Sequence, residues 1–153
     1  MATELRTGTF ESTLDDKGRV SIPIRLREVY SVNELVITQG RQPSVWIMTP
    51  EVWERVSEKL KNSSDLTEEE YSLVEYLHIL PAQLVEIDKS GRIPVPQAIR
   101  KYAGLTKECL VLSAENRLEI WDSQSYYTYL NENSQVRQEA WKKMGSRKLF
   151  SME

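Results

Sequence analysis

One thirteen-residue stretch of this chain occurs twice, and that repetition limits the fold more than any other feature. Asp15-Asp16-Lys17-Gly18-Arg19-Val20-Ser21-Ile22-Pro23-Ile24-Arg25-Leu26-Arg27 is echoed by Asp88-Lys89-Ser90-Gly91-Arg92-Ile93-Pro94-Val95-Pro96-Gln97-Ala98-Ile99-Arg100, 73 residues later. At that offset Asp15 meets Asp88, Arg19 meets Arg92, Pro23 meets Pro96 and Arg27 meets Arg100. The alignment needs no gap through Ile47/Ile120 and Trp53/Tyr126. Two copies are too few for a solenoid. Each half is too small to bury a sufficient core alone, so the chain reads as two halves of one folded unit.

Each copy spells strand, tight turn, strand, short helix. The apolar alternation Val20/Ile22 and Ile93/Val95 marks strands with one buried face. Gly18 and Gly91 fall where a tight turn needs positive φ. Pro23 and Pro96 open short helices, about 23–30 and 96–103, the second stopped by Gly104. Arg19 and Arg92 therefore stand at strand ends beside a turn rather than in a core.

Further strands are expected at 9–14, 35–38 and 45–48, and again at 84–87, 110–112 and 118–121. Thr49-Pro50-Glu51 starts a helix with Val52, Trp53, Val56 and Leu60 on one face, broken at 62–65. Thr67 and Glu70 form a capping box for the next helix, which ends before Pro81. These two helices read as a connector with no counterpart inside the repeats, and Tyr71, Tyr76 and His78 on the second as packing residues. Asp122 or Ser123 begins a last helix with Tyr126, Tyr127, Tyr129 and Leu130. Val136, Ala140, Trp141 and Met144 then permit a short amphipathic helix, with a frayed end at 145–148.

The 153 residues carry 20 basic and 23 acidic side chains, a net charge of −3, which looks wrong for a nucleic-acid binder. The distribution reverses that impression. Residues 17–27 hold Lys17, Arg19, Arg25 and Arg27, and residues 89–101 hold Lys89, Arg92, Arg100 and Lys101, with no acid in either run. Eight of the 20 bases thus lie in 24 residues, where an even spread would place about three. Local field rather than net charge decides what an anion meets. The single Cys109 excludes an internal disulfide framework, and with Val36 as its repeat equivalent it reads as a core strand residue. One histidine, His78, leaves little for a His-based metal site or triad, so no metal and no cofactor are expected. No apolar run is long enough for a membrane span and no secretory signal opens the chain, so a cytoplasmic protein is expected.

The doubled Asp-x-x-x-Arg turn, its Gly-Arg-x-x-x-Pro continuation and the closing strand and helix of each half, marked by Trp53 and Leu118-Glu119-Ile120-Trp121, resemble the MraZ family over about residues 5–126. Members of that family are bacterial transcriptional regulators built of two SpoVT-AbrB repeats. The resemblance implies an α+β fold: a swapped-hairpin β-barrel formed by two tandem AbrB-like repeats, with short helices and a helical connector. The divisions expected are a first repeat at 7–54, the connector at 55–80, a second repeat at 81–126 and a helical or flexible tail at 127–153. It also implies a ring-shaped homo-oligomer that associates with the nucleoid. Such a ring would bind repeated boxes of double-stranded promoter DNA upstream of the division and cell-wall gene cluster, usually as a repressor.

The residues themselves suggest how. An arginine at a strand end can fork two donors onto guanine O6 and N7, whereas lysines and flanking arginines suit phosphates. Arg19 and Arg92 are expected in the groove, with Lys17, Arg25, Arg27, Lys89 and Arg100 on or near phosphates. For Arg27 and Arg100, in the last turns of their helices, capping competes with that role. Asp15, Gly18, Asp88 and Gly91 are assigned to shaping the turns and orienting the arginines, with a plain Arg19–Asp15 surface salt bridge as the simpler alternative. An enzyme is disfavoured: Asp15, Asp16, Asp88 and Glu86 offer carboxylates, but no activated nucleophile, phosphate-cradling loop or nearby histidine accompanies them. No small-molecule substrate is expected. An antitoxin-like interaction module of the AbrB type is the alternative reading, and a ring scaffold without DNA a third.

Overall fold

The computed structural model describes residues 6–62 and 64–147. Ser63 in the expected helix break and Lys148 in the expected frayed end lie outside the described residues. In chain order the elements are β1 (Gly8–Thr13), β2 (Arg19–Ser21), α1 (Ile24–Tyr30), β3 (Leu35–Gln39), β4 (Val45–Met48), α2 (Pro50–Lys61) and α3 (Glu68–Val74). A π-helical turn (Glu75–Ile79) extends α3, where the sequence suggested one continuous helix. Then come β5 (Gln83–Val85), β6 (Arg92–Pro94), α4 (Gln97–Ala103), β7 (Glu108–Ser113), β8 (Leu118–Asp122), α5 (Ser123–Glu132) and α6 (Ser134–Ser146). The chain divides into two compact units at Ser123/Gln124.

In the first unit the two halves are interleaved. A six-stranded antiparallel sheet runs β1-β7-β8-β4-β3-β5, and β2 pairs with β6 in a separate ribbon. Apart from the hairpins β3–β4 and β7–β8, each pairing joins one half to the other. Val20 lies opposite Ile93 in the ribbon and Trp46 opposite Glu119 in the sheet, each pair 73 residues apart. These two pairs mark an internal twofold relation between the repeats. Val20, Ile22, Ile93, Val95 and Ile99 share one buried cluster with Leu35, Ile37, Val111 and Ile120. Burial of both halves in one core explains why the repeat is needed in full: neither half has a closed apolar interior of its own.

The α+β architecture with its large antiparallel sheet is present, but the sheet does not close into the expected swapped-hairpin β-barrel. β1 and β5 are the two ends of an open sheet, and an isolated bridge joins Val20 of the ribbon to Leu14, the residue after β1. The ribbon is only three residues per strand and contains Pro94, which has no N–H to extend a ladder.

The repeat offset also corrects itself locally. Phe10 faces Val111, but its equivalent Gln83 faces Ile37 rather than Thr38, so β7 is displaced from β3 by 74 residues. The offset returns to 73 at β8, because the loop 114–117 is one residue shorter than the loop 40–44. Cys109 is therefore the counterpart of Leu35, not of Val36, and both are core residues. Burial pushes its thiol up to about 11, with Asp122 adding to the effect.

Helix α2 begins 73 residues before α5, at the offset of the repeat itself. Thr49 caps α2 through Val52 N, and the Thr67/Glu70 capping box is formed. His78 is buried, its ring stacked on Trp46 at 4.8 Å with Nδ1 donating to Gln39 O at 2.8 Å. Tyr71 and Tyr76 do not pack as expected: they are 39% and 67% exposed. In the second unit, α6 leaves Val136 and Trp141 more than half exposed.

Candidate nucleic-acid interface

Each Asp-x-x-x-Arg segment folds into a closed turn for reasons local to its five residues. Asp15 O accepts from Gly18 N, and Asp15 N donates to Arg19 O. The Asp15 carboxylate then reaches forward, Oδ1 accepting from Lys17 N and Arg19 N at 2.9 Å each. The second turn repeats this with Asp88, Ser90, Gly91 and Arg92 at matching distances. Such a turn needs positive φ at its fourth residue, and Gly18 and Gly91 have φ of 77° and 78°. The Arg19 and Arg92 amides are the largest cause holding the Asp15 and Asp88 carboxyls below the usual Asp range.

The ribbon brings the two turns side by side. Because Val20 and Ile93 point into the core, Arg19 and Arg92 emerge on the opposite face. Arg19 Nε donates to Asp15 Oδ2 at 2.8 Å and Arg92 Nε to Asp88 Oδ2 at 3.1 Å. The pairs are also cross-linked: Arg19 Nη1 lies 3.7 Å from Asp88 Oδ2, and Arg92 Nη1 lies 3.8 Å from Asp15 Oδ2. The cross-contacts are longer than direct hydrogen bonds, so they act through charge. The four side chains form one square, each 26–34% exposed. The simple Arg19–Asp15 bridge considered from sequence is thus present, as part of a larger arrangement.

That square changes the electrostatic picture. The acid-free runs leave out Asp15 and Asp88, but in space those carboxylates sit against the arginines. Lys17, Lys89, Arg19, Arg92, Arg27 and Arg100 nonetheless outnumber Asp15, Asp16 and Asp88 around the paired turns, leaving the region positive. Lys17, Lys89 and Arg25 are exposed. The Arg25 guanidinium also lies 5.8 Å from the Phe10 ring centre.

Arg27 and Arg100 occupy places that the sequence did not suggest. Arg27 Nε donates to Ile22 O at 2.7 Å, and Arg100 Nη1 donates to Val95 O at 2.9 Å. Those acceptors precede the helices, so neither guanidinium caps the C-terminal end of its own helix there. Each crosses instead to the other repeat. A Cβ on Gly18 would lie 1.6 Å from Arg100 Nη1, and one on Gly91 2.1 Å from Arg27 Nε. Pairing Arg27 with Gly91 required knowing that β2 meets β6, which no local pattern states. The only trace in sequence is that both arginines follow their proline by four residues.

Among the described residues, no group of three or more His, Cys, Asp and Glu is placed to hold a metal ion, and no helix is long and apolar enough to cross a membrane. A family model described as "MraZ protein, putative antitoxin-like" matches residues 5–74 and 79–147, which reaches beyond the 5–126 expected from motifs. Similar proteins include the transcriptional regulator MraZ of Treponema denticola, 37% identical over 139 residues, covering 91% of this chain and 96% of that one. The transcriptional regulator MraZ of Treponema pallidum (strain Nichols) is 37% identical over 127 residues, 83% of this chain and 85% of its own length.

Proposed function

This chain belongs to the MraZ family, and from that premise we propose that it is a DNA-binding regulator of transcription whose reading element is the pair of Asp-x-x-x-Arg turns. The observation that carries the proposal is the square of Arg19, Arg92, Asp15 and Asp88, which holds two arginine heads together on one half-exposed face. In it the carboxylates engage Nε and Nη1, so the remaining donors of each planar fork are pre-oriented for a base edge. Guanine, with O6 and N7 in the major groove, is the natural partner. Lys17, Lys89 and Arg25 supply phosphate contacts around it, which position the chain without reading sequence.

The finer reading follows the family: a repressor in the cytoplasm and on the nucleoid, acting at repeated boxes upstream of its own gene cluster as a ring-shaped homo-oligomer. The repeats that would build each subunit are 7–54 and 81–126, with 55–80 between them and 127–153 after them. Several linked copies would raise a weak single contact through effective concentration. This is a binding role with no catalytic step. Anisotropy titration of the purified chain against the duplex upstream of its own gene tests it. Arg19→Ala should weaken binding by about 1–3 kcal/mol per lost base contact, and affinity should fall steeply with salt. A correctly folded Arg19→Ala protein that binds like the parent would refute the assignment of the turns.

A second reading, an antitoxin-like interaction module, is favoured by the exposed Val136 and Trp141 on α6. Co-purification of a small basic protein that is lost on truncating α6 would support it.

A further inference from the structure

We propose that Arg27 and Arg100 are positioning residues for the reading turns, each setting the turn of the opposite repeat. The proposal rests on the DNA-binding reading above and assigns these two arginines a role other than phosphate contact. On one side, Val95 N donates to Gly18 O at 2.9 Å, while Val95 O accepts from Arg100 Nη1. Arg100 Nη1 in turn fills the space beside Gly18 that a side chain would need. A single residue of the second repeat is therefore bonded to the first turn and to the arginine that covers it.

The other side repeats the device. Ile22 N donates to Gly91 O at 2.7 Å, Ile22 O accepts from Arg27 Nε, and the Arg27 guanidinium lies against Gly91. Ile22 and Val95 are buried and both arginines are half-buried, whereas Lys17 and Lys89 are exposed. A phosphate-contacting head is held out to solvent; these two are held between backbone segments. The wiring is crossed as a result. Arg100 fixes the turn that carries Arg19, and Arg27 fixes the turn that carries Arg92.

Crossed wiring has a signature that general loosening lacks. In the full chain, Arg100→Gln should weaken binding to the upstream duplex about three- to tenfold, the worth of a hydrogen bond. That loss should largely vanish in an Arg19→Ala background and persist in an Arg92→Ala background; Arg27→Gln should show the reverse. The dependence of log affinity on log salt should match the parent. A salt slope reduced by about 0.9 per site would make Arg100 a phosphate contact and overturn the proposal. Equal coupling to Arg19 and Arg92 would also overturn it.

Hydrogen exchange of the free protein separates this inference from the DNA reading. Arg100→Gln should speed exchange at 15–19 more than at 88–92, and Arg27→Gln the opposite; equal effects on both turns contradict the wiring. If the parent chain binds no DNA, the functional reading fails, while the exchange result still decides the wiring. If Arg100→Gln does not fold, Arg100→Lys keeps the charge but loses the planar fork, and the same crossed pattern is expected.

Discussion

The two repeats agree where a segment pairs with its own copy and differ where it pairs with another element. Their turns match to within a degree in glycine φ and to within a few tenths of an ångström in the aspartate and arginine bonds. Their arginines cross to equivalent places, although Arg27 uses Nε and Arg100 uses Nη1 for the carbonyl bond. Away from the shared ribbon the likeness loosens. β1 has six residues and β5 three, β7 has slipped one residue relative to β3, and α1 is followed by Ser31 as its C-terminal cap where α4 is followed by a left-handed Gly104. A segment that pairs with its own copy is constrained twice, because any change must fit both its fold and its image. A segment that pairs elsewhere can drift, provided a nearby loop restores the register.

The largest test of that contrast is at the glycines. Gly18→Ala and Gly91→Ala should each cost about 2–5 kcal/mol in denaturant unfolding, combining positive-φ strain with overlap against the crossing arginine. Gly104→Ala has positive φ but nothing within 4 Å, so it should cost only about 1–2 kcal/mol. Equal losses at Gly18 and Gly104 would mean that the crossing arginines simply move aside.

A smaller effect is expected in DNA binding. If the turns act as one symmetric head, Arg92→Ala should weaken binding as much as Arg19→Ala, about 1–3 kcal/mol for each base contact removed. A large loss at one and none at the other would make the second turn a structural copy only.

The mildest effect concerns acid. Because the carboxyls of Asp15 and Asp88 are held below the usual Asp range, their contribution to stability is fully present above pH about 3.9. It is lost as the pH falls through their lowered folded values. Exchange at 15–19 and 88–92 should therefore accelerate together only in that acid window, and loosening of one turn at neutral pH would argue against the shared square.

Much of this was legible in the sequence because it is local. Turn closure by Asp15 and Asp88, the proline-initiated helices, Gly104 and the Thr67/Glu70 box all depend on neighbours within five residues. What was not legible depends on pairing between distant segments. The cross-contacts of Arg19 with Asp88 and the burial of Arg100 against Gly18 exist only once β2 meets β6. The one-residue slip hid for the same reason: Val36 and Leu35 are both apolar and both buried, so composition could not choose between them as the partner of Cys109. The open sheet was missed because strand length at the ribbon, three residues a side, is set by what each strand finds to pair with.

The central claim is that two turns, one from each half, meet DNA as a single surface. Hydrogen exchange of the full chain with and without the duplex upstream of its gene tests it most directly. The account predicts that segments 15–27 and 88–100 gain protection together and saturate at the same DNA concentration. Protection confined to one of them, or appearing only in α5 and α6, would contradict it.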